Sequence, residues 1–364
     1  MPPAADSASG ELIVGTYTEQ LPHVDGQAEG ILACRFDGGT IGPVRLLAAT
    51  RNPSFVALSA DGRHLYAVNE TVEFEGNAGG GVTAFARDPG SGELSQLNSR
   101  PSGGVEPAHL EVDPSGRFLL VANYRSGSVA VFALEADGSL GAMADHVQHA
   151  GSSVDPVRQT GPHAHMIMFD PVTGDVLVPD LGLDAVLIYT LSSEGKLTEH
   201  PDRRIGTKRG AGPRHLAFHP DGNHLFGVNE LDNTAEVLRR TGEGFKQVSV
   251  ASTLPAGFAA HSQAAAIRVS PSGRTVLVSN RGEASDTIAR FRFDAGPGSL
   301  ELVESVRSGG REPREFLFSP DGRFVIVADQ DSDLLVVMES SDDEPGLRPI
   351  SSAPVPTPVC LLLA

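Results

Sequence analysis

The sequence predicts an all-β chain: a seven-bladed β-propeller of four-stranded blades, its ring closed by the C-terminal strand joining the N-terminal blade. Three observations predict it. The composition favours short strands and turns over helices, one strand–turn–strand phrase returns at a period of about 50 residues, and the two chain ends each supply part of one further repeat. A chain of 364 residues could hold two domains on length alone, but propellers spend as many on a single ring. The expected organisation is therefore a disordered extension over 1–10 and one propeller domain over 11–364. Apolar residues make up 40% of the chain, beside 41 Gly and 26 Pro, a balance suited to many short strands.

The phrase is a short apolar strand, a two-residue turn ending in Gly, then a second apolar strand closing on Asn or Asp. Its six copies are NPSFVALSADGRHLYAVNE, EPAHLEVDPSGRFLLVANY, GPHAHMIMFDPVTGDVLVPD, GPRHLAFHPDGNHLFGVNE, QAAAIRVSPSGRTVLVSNR and EPREFLFSPDGRFVIVADQ. The turn glycines Gly62, Gly116, Gly174, Gly222, Gly273 and Gly322 lie at intervals of 54, 58, 48, 51 and 49 residues. That spacing suits a four-stranded blade, and the absence of Trp excludes the WD type. An Asp-Gly or Ser-Gly pair between apolar runs supplies the positive-φ position of a hairpin, so the two runs are strands A and B of a blade. GSVAVFAL and DAVLIYTL read as strand C, and a weaker strand D ends each unit.

The ends assemble the seventh blade. LIVGTYTE reads as strand B, GILACRFD as strand C and TIGPVRLL as strand D, and PTPVCLLLA at the C-terminus supplies strand A. Pairing the termini removes the sheet edges that an open array would expose. Cys34 then falls on strand C and Cys360 on strand A, with strand B between them and about 9 to 10 Å separating their Cα atoms. A disulfide does not reach that far, and both cysteines read as buried thiols.

Charge narrows the partners. The net charge of −18 opposes binding to nucleic acid or anionic membranes, and no Lys/Arg block overrides it. The N-terminal MPPAADSASG lacks the basic and apolar regions of a signal peptide, and no apolar run approaches membrane length, so the expectation is a cytoplasmic protein. It is further expected to be a monomer or weak homodimer, since a closed ring leaves no edge demanding a partner.

A hairpin brings its outer ends together, so the residues before strand A and after strand B of each blade should gather at the end opposite the turns. This places at one channel mouth Asn69 and Glu70, His109 with Asn123 and Tyr124, and His163 and His165 with Asp180. Arg214 with Glu230, Asn280 with Arg281, and Arg314 with Asp329 and Gln330 complete the set. The other mouth collects the turns and few catalytic types beyond His219. Asn69, Asn123, Asn229, Asn280, Asp180 and Asp329 recur from blade to blade and read as architectural ties. His165, Arg214, Glu230, Arg281 and Arg314 break the repeat at equivalent positions and read as functional. His163 and His165 would share one face of a strand if the strand starts there, yet no third metal ligand is evident, and the acidic run SSDDEPG reads as a solvated loop.

At these residues the sequence resembles the propeller lactonase family that includes bacterial 6-phosphogluconolactonases and fungal carboxymuconate lactonising enzymes. VGTYT with GILACRFDG, GPHAHMIMFDP with VPDLGLD, GAGPRHLAFHPDGNHLFGVNEL, SNRG and EPREFLFSPDGRFVIVADQ carry the resemblance, which covers nearly the whole chain. GAGPRH with VNEL is its most specific segment. The resemblance implies a seven-bladed fold and hydrolysis of a small anionic lactone, 6-phosphogluconolactone of the pentose phosphate pathway foremost. It implies His165, Arg214, Glu230 and Arg281 as catalytic residues. His163, Arg314 and Gln330 match further family positions, and with His109, Tyr124 and Glu70 they form the expected substrate-binding set. Ala266, where many relatives carry Asp or Glu, and an extra residue in GEASDTIARF are departures, both close to Arg281 in sequence.

Opening a lactone needs a water nucleophile, a base and cationic donors for the oxyanion. His165 or Glu230 would be the base, while Arg214 and Arg281 would hold a phosphate or carboxylate and the oxyanion. No cofactor or metal is required. Three alternatives stay open: cycloisomerisation of a carboxymuconate, a calcium-dependent lactonase sensitive to chelator, and a non-catalytic binding scaffold with an apolar top face.

Overall fold

The computed structural model describes residues 9–343 and 346–364. Their secondary structure is β throughout, apart from the single-turn 3-10 segments Pro201–Arg203 and Gln330–Ser332. The extension expected over 1–10 lies outside the described residues as far as residue 8. Ser9 and Gly10 are already strand, opposite Asp37 and Phe36.

The described residues form seven antiparallel sheets of four or five strands, the number of blades that the repeat predicts, in which strands A to D follow one another in space, and two further two-stranded ribbons, Glu73–Phe74 with Asn77–Ala78 and Gln20–Leu21 with Val24–Asp25. The chain groups into two compact units, one comprising Glu29–Ile31 and Leu47–Arg214, the other the N-terminal residues to Ala28, Leu32–Leu46 and His215–Ala364. In the first unit, blade 1 is Val56–Leu58, His64–Asn69, Gly81–Arg87 and Leu94–Pro101. Blade 2 is Pro107–Val112, Phe118–Asn123, Ser128–Leu134 and Leu140–Gln148. Blade 3 is Met168–Phe169, Val176–Asp180 and Ala185–Leu191, with an outer strand split into Leu197–Glu199 and Ile205–Gly206.

Blade 4 has strands Pro213–Phe218, His224–Asn229, Thr234–Thr241 and Gly244–Ser252. Blade 5 has Gln263–Val269, Thr275–Arg281, Thr287–Asp294 and Ser299–Arg307. Blade 6 has Pro313–Phe318, Phe324–Asp329, Leu334–Glu339 and Arg348–Pro354. In blade 7 the C-terminal Pro358–Leu363 lies against Ser9–Thr16, which pairs with Gly30–Asp37. The register sets Leu12 opposite Leu363 and Val14 opposite Leu361, so the two termini build one sheet as expected.

Why strand B carries the longest apolar runs follows from its place. Phe118–Asn123, His224–Asn229 and Phe324–Asp329 are buried at every residue because both faces of the sheet are covered, whereas the outer Leu94–Pro101 has no fully buried residue. Between blades 6 and 7, Phe36, Phe324, Ile326, Leu335 and Leu361 interleave. Between blades 2 and 3, Leu120, Ala122, Ile167, Val178 and Tyr189 do the same. Each such aliphatic or aromatic side chain contributes roughly 1.5–3 kcal/mol on leaving water. The six turn glycines all have φ between 67° and 79°, the left-handed region that the five Asp-Gly and Ser-Gly pairs and Thr173-Gly174 require. Cys34 and Cys360 are free and buried on opposite sides of Ser9–Thr16, and burial, then Glu11, pushes the Cys34 thiol up to about 11.

Candidate functional site

Strand pairing brings the hairpin ends together as the repeat implies: Pro107 faces Asn123, Gln263 faces Arg281 and Pro313 faces Asp329. Most of the recurrent Asn and Asp residues there are occupied in holding loops. Asn69 Nδ2 donates to the Arg51 carbonyl at 2.7 Å, Asn280 Nδ2 to the Thr253 carbonyl at 3.0 Å, and Asn229 Nδ2 to Glu236 Oε1 at 2.6 Å. Asp329 differs, since among the described residues neither of its buried carboxylate oxygens has a hydrogen-bond partner within normal geometry. Burial pushes this carboxyl up to about 7, with Ser308 and the Gly310 N–H close enough only to offset part of the effect.

In the unit that carries blades 1 to 3, Tyr124 is the hub. The His163 ring stacks on it at 4.9 Å between centroids and the His165 ring meets it edge-on at 5.1 Å. Tyr124 Oη accepts from Arg158 Nη2 at 2.9 Å, and the Tyr124 carbonyl lies 3.1 Å from His163 Nδ1. The His163 N–H donates to Asp180 Oδ1 at 2.7 Å, while Asp180 Oδ2 meets His149 Nδ1 at 2.7 Å and His149 Nε2 lies 3.0 Å from Tyr189 Oη. A buried Asp180–His149–Tyr189 chain thus stands behind the segment bearing both histidines. That segment is not regular strand: the named strand begins at Met168 and only an isolated Ala164–Asp180 bridge precedes it. The expected shared strand face is replaced by shared contact with one tyrosine.

His109 touches the same segment from the side, the Ile167 N–H donating to its Nδ1 at 3.4 Å, while Glu70 lies beside Ser54. The His109 ring lies 3.9 Å from that of Phe55, and Glu70 Oε2 accepts from Ser54 Oγ at 2.5 Å. Sequence reasoning missed Arg158 and His149 because both lie between blades, outside the repeated phrase. Arg214, on strand A of blade 4, is 1% exposed, among the largest side chains so completely covered.

In the other unit, Glu230 follows strand B of blade 4 and Arg281 closes strand B of blade 5. Arg281 Nη2 lies 3.1 Å from Glu230 Oε2, with side chains only 9% and 4% exposed, and Arg281 Nη1 is 4.0 Å from Glu312 Oε2. A guanidinium so enclosed keeps its charge and its planar donor array, and the carboxylates compensate it. Glu312 was not anticipated. It sits at φ 56° just before strand A of blade 6, and burial raises its carboxyl against the opposing pull of Arg281. The available signal is positional, since Asn52, Glu106 and Thr357 also precede a Pro and also have positive φ. The Arg314 guanidinium covers the Tyr17 ring at 5.5 Å, and Gln330 Nε2 donates to Asp331 Oδ1 at 2.9 Å.

The acidic run expected to be a solvated loop is partly anchored. Asp342 accepts from Ser272 and Ser270, and Arg274 Nη1 reaches Asp343 Oδ1 at 2.6 Å, while residues 344–345 lie outside the described residues. Chemically, one unit offers imidazoles arranged on a tyrosine, and the other a buried cation bracketed by carboxylates. These are the general base and anion-stabilising groups that acyl transfer to water uses.

Comparison with known proteins gives the context. The family model for seven-bladed β-propeller lactonases matches residues 11–363. A 6-phosphogluconolactonase of Bacillus subtilis is 36% identical over 354 residues, covering 96% of each chain. One from Formosa agariphila is 30% identical over 337 residues, covering 90% of this chain and 91% of its own. The solved periplasmic gluconolactonase of Pseudomonas aeruginosa superposes with a TM-score of 0.89 at 36% identity, covering 98% and 99% of the two chains. With the repeat, the sheet count and the paired termini already pointing the same way, the chain belongs to the seven-bladed β-propeller lactonase family.

Proposed function

We propose that this protein hydrolyses 6-phosphogluconolactone to 6-phosphogluconate. The observation that carries the reading is the similarity to the Bacillus 6-phosphogluconolactonase over 96% of both chains. The buried Arg281–Glu230 pair supports it from this chain's own residues.

In the reaction, a water oxygen adds to the lactone carbonyl carbon and gives a proton to the base. The tetrahedral oxyanion then collapses, the bond from that carbon to the ring oxygen breaks, and the ring oxygen takes a proton to become a hydroxyl. His165 is the base in this reading, held edge-on by Tyr124, with Glu230 as the alternative. Arg214 and Arg281 receive the phosphate and the oxyanion, because guanidinium donates in pairs to either. His163, Tyr124, Arg314 and Gln330 line the substrate, and His109 and Glu70 support the site from their contacts with Phe55 and Ser54. No step calls on a metal or cofactor.

The test is acid release from freshly generated 6-phosphogluconolactone in chelator-containing buffer, wild type beside Arg214→Ala. A fall of at least tenfold, about 1.4 kcal/mol of transition-state stabilisation, is expected. Equal turnover in the two proteins removes Arg214 from the mechanism, and wild-type turnover no faster than the spontaneous rate removes the substrate.

The similarity to the Pseudomonas gluconolactonase supports a second reading, hydrolysis of the unphosphorylated lactone. The same assay with glucono-δ-lactone separates them by kcat/KM. Product analysis with a carboxymuconate tests the cyclising direction. A phosphorylated lactone does not cross a bilayer unaided, which supports a cytoplasmic location, and no helix among the described residues is long and apolar enough to span a membrane. A monomer or weak homodimer is proposed, to be checked by light scattering.

A further inference from the structure

At the turn end of blade 4, opposite to the end that carries Glu230, three metal-ligating side chains converge in the segment His219-Pro220-Asp221-Gly222-Asn223-His224. His219 Nδ1 lies 2.9 Å from Asp221 Oδ1, His224 Nδ1 lies 2.9 Å from Asp221 Oδ2, and the three candidate ligand atoms lie within 4.8 Å of one another. We propose that His219, Asp221 and His224 bind a late first-row divalent cation such as Ni²⁺, Co²⁺ or Cu²⁺, at a site separate from the lactone site.

The case rests first on how this turn departs from its counterparts. In blades 1 and 6 the position of His219 is held by Ser59 and Ser319, whose hydroxyls donate to Asp61 and Asp321 at 2.6 Å and close the turn. The position of His224 is Phe118 in blade 2 and Phe324 in blade 6, while blade 1 carries His64 there, beside Ser59 rather than a second imidazole. Relative to blade 6, blade 4 replaces a hydroxyl and an apolar ring with two imidazoles, and relative to blade 1 it adds the second imidazole, His219, while keeping the aspartate between them. The turn is also closed by its backbone, since the Gly222 N–H reaches the His219 carbonyl at 3.0 Å and the Asn223 N–H reaches Asp221 Oδ1 at 2.7 Å, beside the Asp221 N–H that donates to His219 Nδ1 at 3.1 Å.

The second support is preorganisation. Phe293 packs against both imidazoles, with centroids 5.3 Å from His219 and 5.1 Å from His224, so the rings are walled in place. The side chains remain 13%, 32% and 8% exposed, which leaves a path for an ion.

Geometry also indicates the class of ion. Bonds of about 2.1 Å to a nitrogen and an oxygen 2.9 Å apart subtend roughly 90°, a cis pair of an octahedral or tetragonal sphere rather than a tetrahedral one. Two imidazoles and a carboxylate in such a sphere suit Ni²⁺, Co²⁺ or Cu²⁺, with water completing it. Two contacts oppose loading: the Asp221 N–H donates to His219 Nδ1 at 3.1 Å and must release it, and Arg239 Nε lies 3.4 Å from His224 Nε2, where a metal-bound neutral imidazole must carry its proton. The Arg239 Nη2 already donates to the Gly296 carbonyl at 2.9 Å, so its head group has an alternative seat.

The experiment is titration of the untagged full chain with Ni²⁺ by calorimetry, with Co²⁺ absorption reporting coordination. The variants His219→Ser and His224→Phe install residues that equivalent turns of this chain already carry, so both should fold, and circular dichroism checks it. One Ni²⁺ equivalent should bind, at least tenfold more weakly in each variant, and Arg239→Gln should bind as tightly or more tightly. Affinity should fall as pH drops through the imidazole range. Lactone turnover should be unchanged in both histidine variants, because six residues per strand set the turn about 20 Å from the site end. No saturable single equivalent in the wild type, or wild-type affinity in either His219→Ser or His224→Phe, overturns the proposal.

Discussion

Asp329 occupies a position that four other blades fill with Asn69, Asn123, Asn229 and Asn280, and the difference of one atom changes its electrostatics. An amide is neutral and can donate. A carboxyl at zero exposure must either shed its water as an anion or hold its proton, and burial raises it from 3.8 to about 7. Because the folded value lies above the unfolded one, its favourable contribution is complete below about pH 4 and is lost as pH rises through about 7. Asp329→Asn should therefore raise stability at pH 8 by on the order of 1–3 kcal/mol relative to wild type, with little gain at pH 4. Denaturant titration of both proteins at the two pH values checks this. A variant equally or less stable at pH 8 would mean that the carboxylate has an ionic role the amide does not replace.

At the scale of the element, the hairpin is where sequence reasoning reaches furthest. Turn glycines, alternation and the Asn or Asp ends gave blades, registers and the placing of Glu230 and Arg281 at strand B ends, because each is set by local backbone geometry with a fixed residue preference. What lies between blades obeys no period. His149 follows strand D of blade 2 and is 31 residues from Asp180, so no spacing rule links them, yet together they anchor the loop bearing His163. Glu312 escaped for another reason: its positive φ is a property of the connection, and its neighbour Arg314 drew the functional reading instead.

The Asp180–His149 contact makes a prediction at this scale. Both side chains are fully buried, and His149 also meets Tyr189 Oη at 3.0 Å, so His149→Ala strips a donor from one oxygen of a buried aspartate and leaves a cavity. Three backbone N–H groups remain on the other oxygen, from His163, Gly182 and Leu183. The expected cost is about 2–4 kcal/mol by denaturant unfolding, with kcat/KM reduced in the same variant through displacement of His163. A change below about 0.5 kcal/mol would show that water entering the space replaces the imidazole.

At the scale of the whole molecule, blade 7 joins strands far apart in the sequence, Ser9–Thr16 and Pro358–Leu363. Ser9–Thr16 is paired on one side with Gly30–Asp37 and on the other with Pro358–Leu363, through Leu12–Leu363, Ile13–Leu362, Val14–Leu361 and Gly15–Cys360. Val359, Cys360 and Leu361 are buried, and Leu361 belongs to the cluster in which Phe324, Ile326 and Leu335 of blade 6 take part. Deleting residues 358–364 exposes the edge of Ser9–Thr16 and uncovers that cluster. At roughly 1.5–3 kcal/mol per buried apolar side chain the loss approaches the 5–15 kcal/mol that holds a typical domain together. The truncated protein should thus lose its cooperative unfolding transition and associate through the open edge. Both are read by thermal melting with light scattering. A monomeric truncation that melts cooperatively near the wild-type temperature would mean that the N-terminal strand is held by Gly30–Asp37 alone and that pairing of the termini is not what secures blade 7.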